Sequence, residues 1–469
     1  MATLITNTDL GNSLYVSFIN KLEARDQLRG NNYIVVYGNN TPGNNGADLV
    51  SKLNFAKFIN PNSQVKSDTN RMTVLVAPGK YDVDFTLEMD TPYVDLISLT
   101  GNADVFLNCI SSNTTILVDS SDISVKGFNL GSKAITINGS YSNNYFENII
   151  GGDYNFSHPS TSGDVAGNFK NCVGGLYSFG DADNGQILST STLENCTAGD
   201  WSFGYVLYLS NLKNCTAGFS SFGYIQIDNC NLTDCKSTAG DSFGTNSGIA
   251  ASTLTNCSAT SYSFGRTNGY TQILNSTFID CTAEEEGSFG TYIEGCTFRN
   301  CTAGRESFGK TSDIGTLSEI FSSTFTDCKA GDWSFGVRIG GTDVVFTNCT
   351  AGIESFGANE ANGTYKNCRA GINSFGAGLQ GWPKLQAGGQ FFNCVADENS
   401  FGTEIANGAF YYCVCNGVGG WRGNTQGGMG GYAFSCKGMN PAPIGQAIYC
   451  VDTFFKPVNF NLTTTTNNI

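Results

Sequence analysis

The sequence is poor in charged residues, which make up only 14% of its 469 positions. A disordered chain would carry more charge and fewer aromatic residues, so disorder is excluded. Basic residues are scarcer still, 25 against 40 acidic ones, and the net charge is -15. Such an acidic chain would be repelled by phosphates, so we expect no nucleic-acid partner.

Long apolar runs are also lacking. No stretch approaches 18 apolar residues, so we expect no transmembrane helix and no membrane insertion. The first twenty residues contain no Lys or Arg and no long apolar run, which predicts that there is no signal peptide. We therefore expect a chain made in a reducing cytosol, with its 18 cysteines as free, buried thiols.

What the sequence does have is an internal repeat. Ser-Phe-Gly occurs eleven times between Phe179 and Phe401, about 22 residues apart on average. A cysteine lies seven or eight residues before each of these phenylalanines. It is always preceded by Asn or Asp, and the residue three before it is always apolar. So short and regular a period predicts a solenoid.

The spacing within the repeat also predicts its shape. Side chains on a strand alternate between faces, so the apolar residue and the cysteine can both point inward only if the chain bends between them. Asn and Asp tolerate the left-handed conformation of such a bend. Fifty-eight glycines and Thr-rich segments disfavour a helical repeat. Stacked coils would place the corner amides in a structural ladder, formed by Asn195, Asn214, Asn256, Asn300, Asn348 and Asn367.

This pattern resembles the right-handed, pectate-lyase-like parallel β-helix superfamily, in which asparagine ladders at a tight corner recur. Residues 74–81 (VLVAPGKY) resemble its opening strand. The resemblance implies an all-β, right-handed parallel β-helix solenoid with coils of about 22 residues. We expect an N-terminal helical cap at 1–72, with helices near 12–30 and 45–60. The β-helix itself would span 73–415, with regular repeats at 169–402, and an irregular C-terminal cap and tail would span 416–469.

The active-site motifs of enzymes with this fold are missing. There is no Asp-Asp pair, no lyase-like acidic cluster, no Walker A and no zinc-type cysteine pair, so we expect no metal and no cofactor. Carboxylates on separate coils can still converge without any sequence signature. The catalytic candidates are Glu306, Glu354, Asp332 and Asp241.

The residue before each Ser-Phe-Gly is a candidate for ligand binding. If Phe points inward and Ser outward or sideways, this position lies near an exposed corner. It alternates between aromatic residues and acids or amides, a mixture that suits sugar rings and their hydroxyls. The alternative is that the aromatics only cover the corner. The glycan-binding candidates are Tyr177, Trp201, Tyr262 and Trp333, with Trp382 from a long insertion.

Three functional hypotheses follow. Residues 31–108 are similar to uncharacterised β-helix proteins of phages and large DNA viruses. This favours a non-enzymatic virion structural or attachment protein (a fibre, spike or capsid-associated protein) made in the host cytoplasm. It would bind host-surface polysaccharide, other virion components or copies of itself, with a trimer as the fold-level expectation. The alternatives are a polysaccharide lyase or glycoside hydrolase, and a rigid rod without ligand.

Overall fold

Parallel strands form nearly all of the regular structure. The computed structural model describes residues 32–139, 141, 143–158, 163–265, 271–309, 319–341, 343–357, 360–376, 389–398, 400–401 and 408–418, with strands at 432–434, 437–439, 449–451 and 454–455. The chain divides into unit 1, residues 1–223, and unit 2, residues 224–469. Each unit is a parallel β-solenoid with coils about 22 residues apart, as the repeat predicts.

The described part of unit 1 contains one α-helix, α1, and eighteen strands. The helix spans Pro42–Phe58 and is followed by a 3-10 turn at Pro61–Ser63. The strands are β1 (Tyr33–Val36), β2 (Met72–Val76), β3 (Gly79–Val83), β4 (Leu87–Met89), β5 (Val94–Ser98), β6 (Val105–Cys109), β7 (Thr114–Val118), β8 (Ser124–Lys126), β9 (Phe128–Asn129), β10 (Ala134–Ile137), β11 (Tyr145–Glu147), β12 (Asp164–Val165), β13 (Asn168–Lys170), β14 (Ile187–Ser189), β15 (Thr192–Glu194), β16 (Val206–Tyr208), β17 (Asn211–Lys213) and β18 (Thr216–Ala217).

Unit 2 is built from shorter and more uniform strands. They are β19 (Gln226–Asp228), β20 (Asn231–Thr233), β21 (Lys236–Ser237), β22 (Gly248–Ala250), β23 (Thr253–Thr255), β24 (Ser258–Ala259), β25 (Gln272–Leu274), β26 (Thr277–Ile279), β27 (Thr282–Ala283), β28 (Tyr292–Glu294), β29 (Thr297–Arg299), β30 (Glu319–Phe321), β31 (Thr324–Thr326), β32 (Arg338–Ile339), β33 (Val345–Thr347), β34 (Glu360–Ala361), β35 (Thr364–Lys366), β36 (Gln390–Phe392), β37 (Val395–Ala396), β38 (Ala409–Tyr411), β39 (Val414–Val418), β40 (Tyr432–Phe434), β41 (Lys437–Met439), β42 (Tyr449–Val451) and β43 (Phe454–Phe455).

Each unit has three sheet faces, and every strand pair on them is parallel. In unit 1, face A is β1-β2-β5-β8-β11-β13-β15-β17, face B begins β3-β6-β9, and face C comprises β4-β7-β10 and β12-β14-β16. In unit 2, face A runs β20-β23-β26-β29-β31-β33-β35-β36-β38-β40-β42. Face C of that unit runs β19-β22-β25-β28-β30-β32-β34. Parallel strands therefore also occur inside both segments that the sequence assigns to caps, at β1 and at β40–β43.

Helix α1 packs on β3. It begins three residues before the predicted start at 45, because Pro42 occupies the first helical turn, where a missing N–H costs nothing. Its own side chains Leu49 and Leu53 are buried, and a Cβ at Gly46 would collide with the Asp82 carbonyl. The backbone thus approaches the sheet as only glycine permits. The other predicted helix, at 12–30, lies outside the described residues.

The corner predicted at Asn or Asp is confirmed in every repeat. These eleven residues have φ between +51° and +57°: Asn171, Asn195, Asn214, Asp234, Asn256, Asp280, Asn300, Asp327, Asn348, Asn367 and Asn393. The residue before Ser-Phe-Gly, which the sequence places near a corner, is itself left-handed in the described repeats and forms a second corner, with φ of +57° at Trp201 and at Glu306. A further left-handed residue lies between faces C and A, as at Thr190, Asn229 and Asn275, so a regular repeat turns at three places.

Aromatic rings fill the core as stacked columns. In unit 2 the Ser-Phe-Gly phenylalanines lie 4.5–5.1 Å apart between centroids, from Phe243 to Phe401. A second column runs along face A from Phe278 to Phe410, with spacings of 4.6–5.2 Å. The two columns meet edge to face, as at Phe289 and Phe298. Both aromatic geometries are favourable.

The serine of Ser-Phe-Gly points inward, so the expectation that it faces outward or sideways is wrong. Ser334, for example, is fully buried. Its Oγ accepts the N–H of Ser307 at 3.2 Å and donates to the carbonyl of Asp332. The same serine-to-serine bond recurs at 3.1–3.3 Å along both units. The reason is that the second corner leaves buried N–H groups that need an acceptor inside the coil.

The sixteen cysteines of the described residues are free and buried. Burial raises the pKa of the Cys296 thiol to about 11 and the pKa of Cys257 and Cys301 well above the usual range. These three thiols therefore stay protonated near neutral pH. They act as small apolar filler that donates weakly to carbonyls, as Cys301 does to Phe278 O at 3.5 Å.

We predict that Tyr365→Phe stabilises the protein. Tyr365 stands in the face A aromatic column, is fully buried, and its hydroxyl has no hydrogen-bond partner among the described residues. Removing a buried, unpaired hydroxyl should raise the free energy of unfolding by about 1–3 kcal/mol. Denaturant titration against a control, Tyr411→Phe at a half-buried site, would measure this. A loss of stability specific to Tyr365→Phe would contradict the assignment.

Candidate functional site

In unit 1, the second corner carries three aromatic residues on consecutive coils. Tyr154 and Tyr177 stack with centroids 4.9 Å apart, and Trp201 occupies the same position one coil later. Trp201 also meets Phe219 edge to face at 5.6 Å. Together with the exposed Leu176, which precedes Tyr177 in the chain, we call these five residues the aromatic strip.

The aromatic strip is exposed. Tyr154 is 48% exposed and Leu176 40% exposed, while Tyr177 and Trp201 are half-buried. Outward-facing aliphatic side chains extend this apolar surface on the neighbouring face B, where Ile150 and Val173 pair across consecutive coils. Exposed apolar side chains grouped in this way are typical of binding sites.

Two aspartates border the strip. Asp153 precedes Tyr154, and its Oδ1 accepts the N–H of Leu176 at 2.9 Å. Asp200 precedes Trp201, and its Oδ1 accepts the N–H of Phe219 at 2.7 Å. Each carboxylate thus ties one coil to the next with one oxygen. The Oδ2 atom of each has no partner among the described residues.

In unit 2, the corresponding aromatics belong to a polar network. The Arg305 guanidinium lies over the Trp333 ring at 4.4 Å, and the indole Nε1 donates to Glu354 Oε2 at 3.1 Å. The Tyr262 hydroxyl donates to Glu286 Oε1 at 2.8 Å. One ring face and the polar atoms of these aromatics are therefore already engaged, unlike the exposed Tyr154.

The network borders a shallow depression of about 530 Å³ in unit 2. Its lining includes Tyr262, three consecutive glutamates (Glu284, Glu285 and Glu286), Arg305 and Asp332. The sequence analysis missed the glutamates and the arginine. The run Glu-Glu-Glu directly after Ala283, where most other repeats continue with Gly, was the signal that could have indicated them.

The structure brings three of the four candidate carboxylates together around Trp333. Glu306 contacts Arg305 at 3.4 Å, and Glu354 accepts bonds from Trp333 and from Asn373. Asp332 Oδ1 accepts the N–H of Ile353 at 2.9 Å, the same bond that Asp153 and Asp200 make in unit 1. Asp241 lies three coils earlier and is not part of this group.

The remaining candidates concern the corner ladder, metals and the membrane. Within unit 1, Asn214 Nδ2 donates to Asn195 Oδ1 at 2.8 Å; within unit 2, the amides of Asn256, Asn300, Asn348 and Asn367 each donate to the coil before at 2.7–3.0 Å.

Trp382 lies outside the described residues. In the part of the chain that the structure describes, no group of three or more His, Cys, Asp or Glu is placed to hold a metal ion. None of the helices described there has the length and apolar character to cross a membrane.

Comparison with known proteins shows distant similarity to solved structures. DFA-IIIase from Arthrobacter chlorophenolicus A6 has a TM-score of 0.28 and 11% identity, with 81% of this chain and 94% of that chain covered. The ORF18 protein of Geobacillus virus E2 has a TM-score of 0.21 and 9% identity, covering 87% and 65%. The A-module of a mannuronan C-5 epimerase from Azotobacter vinelandii has a TM-score of 0.19 and 10% identity, covering 88% and 96%. No family model and no curated protein matches the chain.

Proposed function

We propose that this chain is a non-enzymatic structural or attachment protein of a virion that binds a glycan through the aromatic strip of unit 1. The observation that carries the binding proposal is the row of Tyr154, Tyr177 and Trp201 on three consecutive coils, with Tyr154 exposed and the other two half-buried. Aromatic rings beside polar acceptors suit sugars, which have apolar ring faces and hydroxyl edges. The virion role rests on the resemblance of residues 31–108 to viral β-helix proteins.

A non-enzymatic role is favoured by how the candidate acids are used. Asp332 holds a backbone N–H of the next coil, Glu354 accepts two side-chain bonds, and Glu306 contacts Arg305. A general acid or nucleophile must be able to reach the substrate, and contacts that hold these three carboxylates against their own coils work against that role. We therefore assign these carboxylates to the stability of the unit 2 corner. We also leave Tyr262 and Trp333 out of the proposed binding surface.

The test is binding of the full chain to an immobilised glycan panel, with the double variant Tyr154→Ala/Trp201→Ala. Loss of two central aromatics should weaken binding by roughly tenfold or more. Trp333→Ala is the matched control, since its ring is covered by Arg305, and should bind like the parent. Equal binding by the double variant and the parent would contradict the proposal.

Two further outcomes would replace it. Turnover of a polysaccharide by the parent that disappears in Glu306→Gln or Glu354→Gln would establish an enzyme. No binding to any glycan, together with stoichiometric recovery of the chain from purified particles, would leave a rigid rod without ligand.

A further inference from the structure

We infer that the glycan bound by the aromatic strip is a neutral polysaccharide, and this inference rests on the proposed function. It is carried by the charges beside the strip. Asp153 and Asp200 stand next to Tyr154 and Trp201 in the chain, and each fixes a backbone N–H with Oδ1 alone. Each Oδ2 is thus left to accept a hydroxyl of a sugar that lies against the adjacent ring.

Further negative charge lies near the exposed end of the strip. Burial, followed by the charge of Asp181, raises the pKa of Tyr154, and Asp153 and Asp183 add to the effect. The phenol therefore stays protonated near neutral pH and can donate a hydrogen bond to a sugar oxygen. Asp181 itself is buried and uses both oxygens within its own turn, with Asp183 N and with Asn184.

The lysine in the coil before the strip does not offset the negative charge of these aspartates. Lys133 lies in the coil before the strip. Its carbonyl accepts the N–H of Gly152, two residues before Tyr154. Its Nζ is directed to Ser112 O at 2.9 Å and Asn113 Oδ1 at 3.4 Å. An uronate, sulfate or phosphate group on the strip would therefore meet carboxylates, and like charges at about 4 Å repel even in water. Sugars with hydroxyls only would meet acceptors and apolar rings.

The experiment measures binding of the full chain to four soluble polymers at low ionic strength, where charge effects are largest. Laminarin and galactomannan are neutral, and alginate and polygalacturonate are acidic. We expect the affinity of the parent for at least one neutral polymer to exceed its affinity for either acidic polymer by about fivefold or more. Repulsion between one pair of like charges about 4 Å apart in water corresponds to this factor.

The variant Asp153→Asn/Asp200→Asn sharpens the test. An amide oxygen can still accept the backbone N–H, so the coils stay tied while the charge is lost. Affinity for the acidic polymers should rise about fivefold or more, whereas affinity for the neutral polymer should fall, because an amide nitrogen then replaces each Oδ2 acceptor. Asp332→Asn, which changes the equivalent bond in unit 2, is the matched control and should change neither.

The outcomes separate the two proposals. Acidic polymers bound as tightly as neutral ones, with binding still lost in Tyr154→Ala/Trp201→Ala, would overturn the neutral ligand class and leave glycan binding intact. No shift in acidic-polymer affinity in Asp153→Asn/Asp200→Asn would also overturn it. Absence of binding to any polymer would overturn the proposed function together with this inference.

Discussion

Replacing Phe289 with alanine is expected to lower the free energy of unfolding by about 3–5 kcal/mol. Phe289 is fully buried and stacks between Phe264 at 4.9 Å and Phe308 at 4.5 Å. It also meets Phe278 and Phe298 edge to face. The stacked coils above and below hold their positions by backbone pairing, so the cavity cannot collapse and its full cost is felt.

Thermal and denaturant unfolding followed by circular dichroism would measure the loss. The control is Phe85→Ala, because Phe85 is 76% exposed and its removal should change stability by no more than about 0.5 kcal/mol. A Phe289→Ala melt that coincides with that of the parent would mean that this ring does not stand inside a packed column.

Asn348→Val is expected to cost about 2–4 kcal/mol, because two effects add. Asn348 has a φ of +55°, where a β-branched residue is strongly disfavoured. Its side chain also links three coils, donating to Asp327 Oδ1 at 2.9 Å and accepting from Asn367 Nδ2 at 3.0 Å. Valine loses both hydrogen bonds and strains the corner.

Asn348→Gly separates the two effects. Glycine adopts positive φ without strain, so this variant should lose only the ladder bonds, about 1–2 kcal/mol. Equilibrium unfolding of both variants gives the difference directly. If valine and glycine proved equally destabilising, backbone strain at the corner would play no part in its asparagine preference.

The fold was predictable because similar residue types recur at nearly the same spacing in every repeat. Asn or Asp before each cysteine indicates a left-handed corner, and the fixed distance to Phe indicates which side chains share the interior. The orientation of the serine was not predictable from alternation. Two left-handed residues flank it, Trp333 and Phe335 in the case of Ser334, and they turn its hydroxyl inward.

The candidate site was only partly predictable. Tyr154 escaped notice because its coil has Asn155 in place of serine and Ile149 in place of cysteine. The period still marks it, since Phe156 precedes Phe179 by 23 residues. Asn155 performs the role of the missing serine, as its Oδ1 accepts the N–H of Ile135 at 2.9 Å.

The distinction between the two units lay beyond the sequence. Tyr177 and Trp333 occupy equivalent positions in the repeat, and the pattern alone ranks them together. Which ring is covered depends on the preceding coil, where Tyr177 meets Tyr154 but Trp333 meets Arg305. Equivalent residues one coil apart are 19 to 27 residues apart in the chain, and only the stacked structure brings them together.

Engineered disulfide formation between consecutive coils tests the in-register stacking most directly. Thr326 on β31 pairs with Thr347 on β33, and Thr347 pairs in turn with Lys366 on β35. All of the described native cysteines are buried, so new outward thiols can be followed separately. Neighbouring strands lie about 4.8 Å apart, within the Cα range that a disulfide spans, whereas two coils lie roughly 9–10 Å apart.

We expect Thr326→Cys/Thr347→Cys to form an intramolecular disulfide on mild oxidation, identified by mass spectrometry of the linked peptides. Thr326→Cys/Lys366→Cys, two coils apart, should remain reduced under the same conditions. Cross-linking of the second pair but not of the first would contradict the coil register on which the core columns, the corner ladder and the aromatic strip all depend.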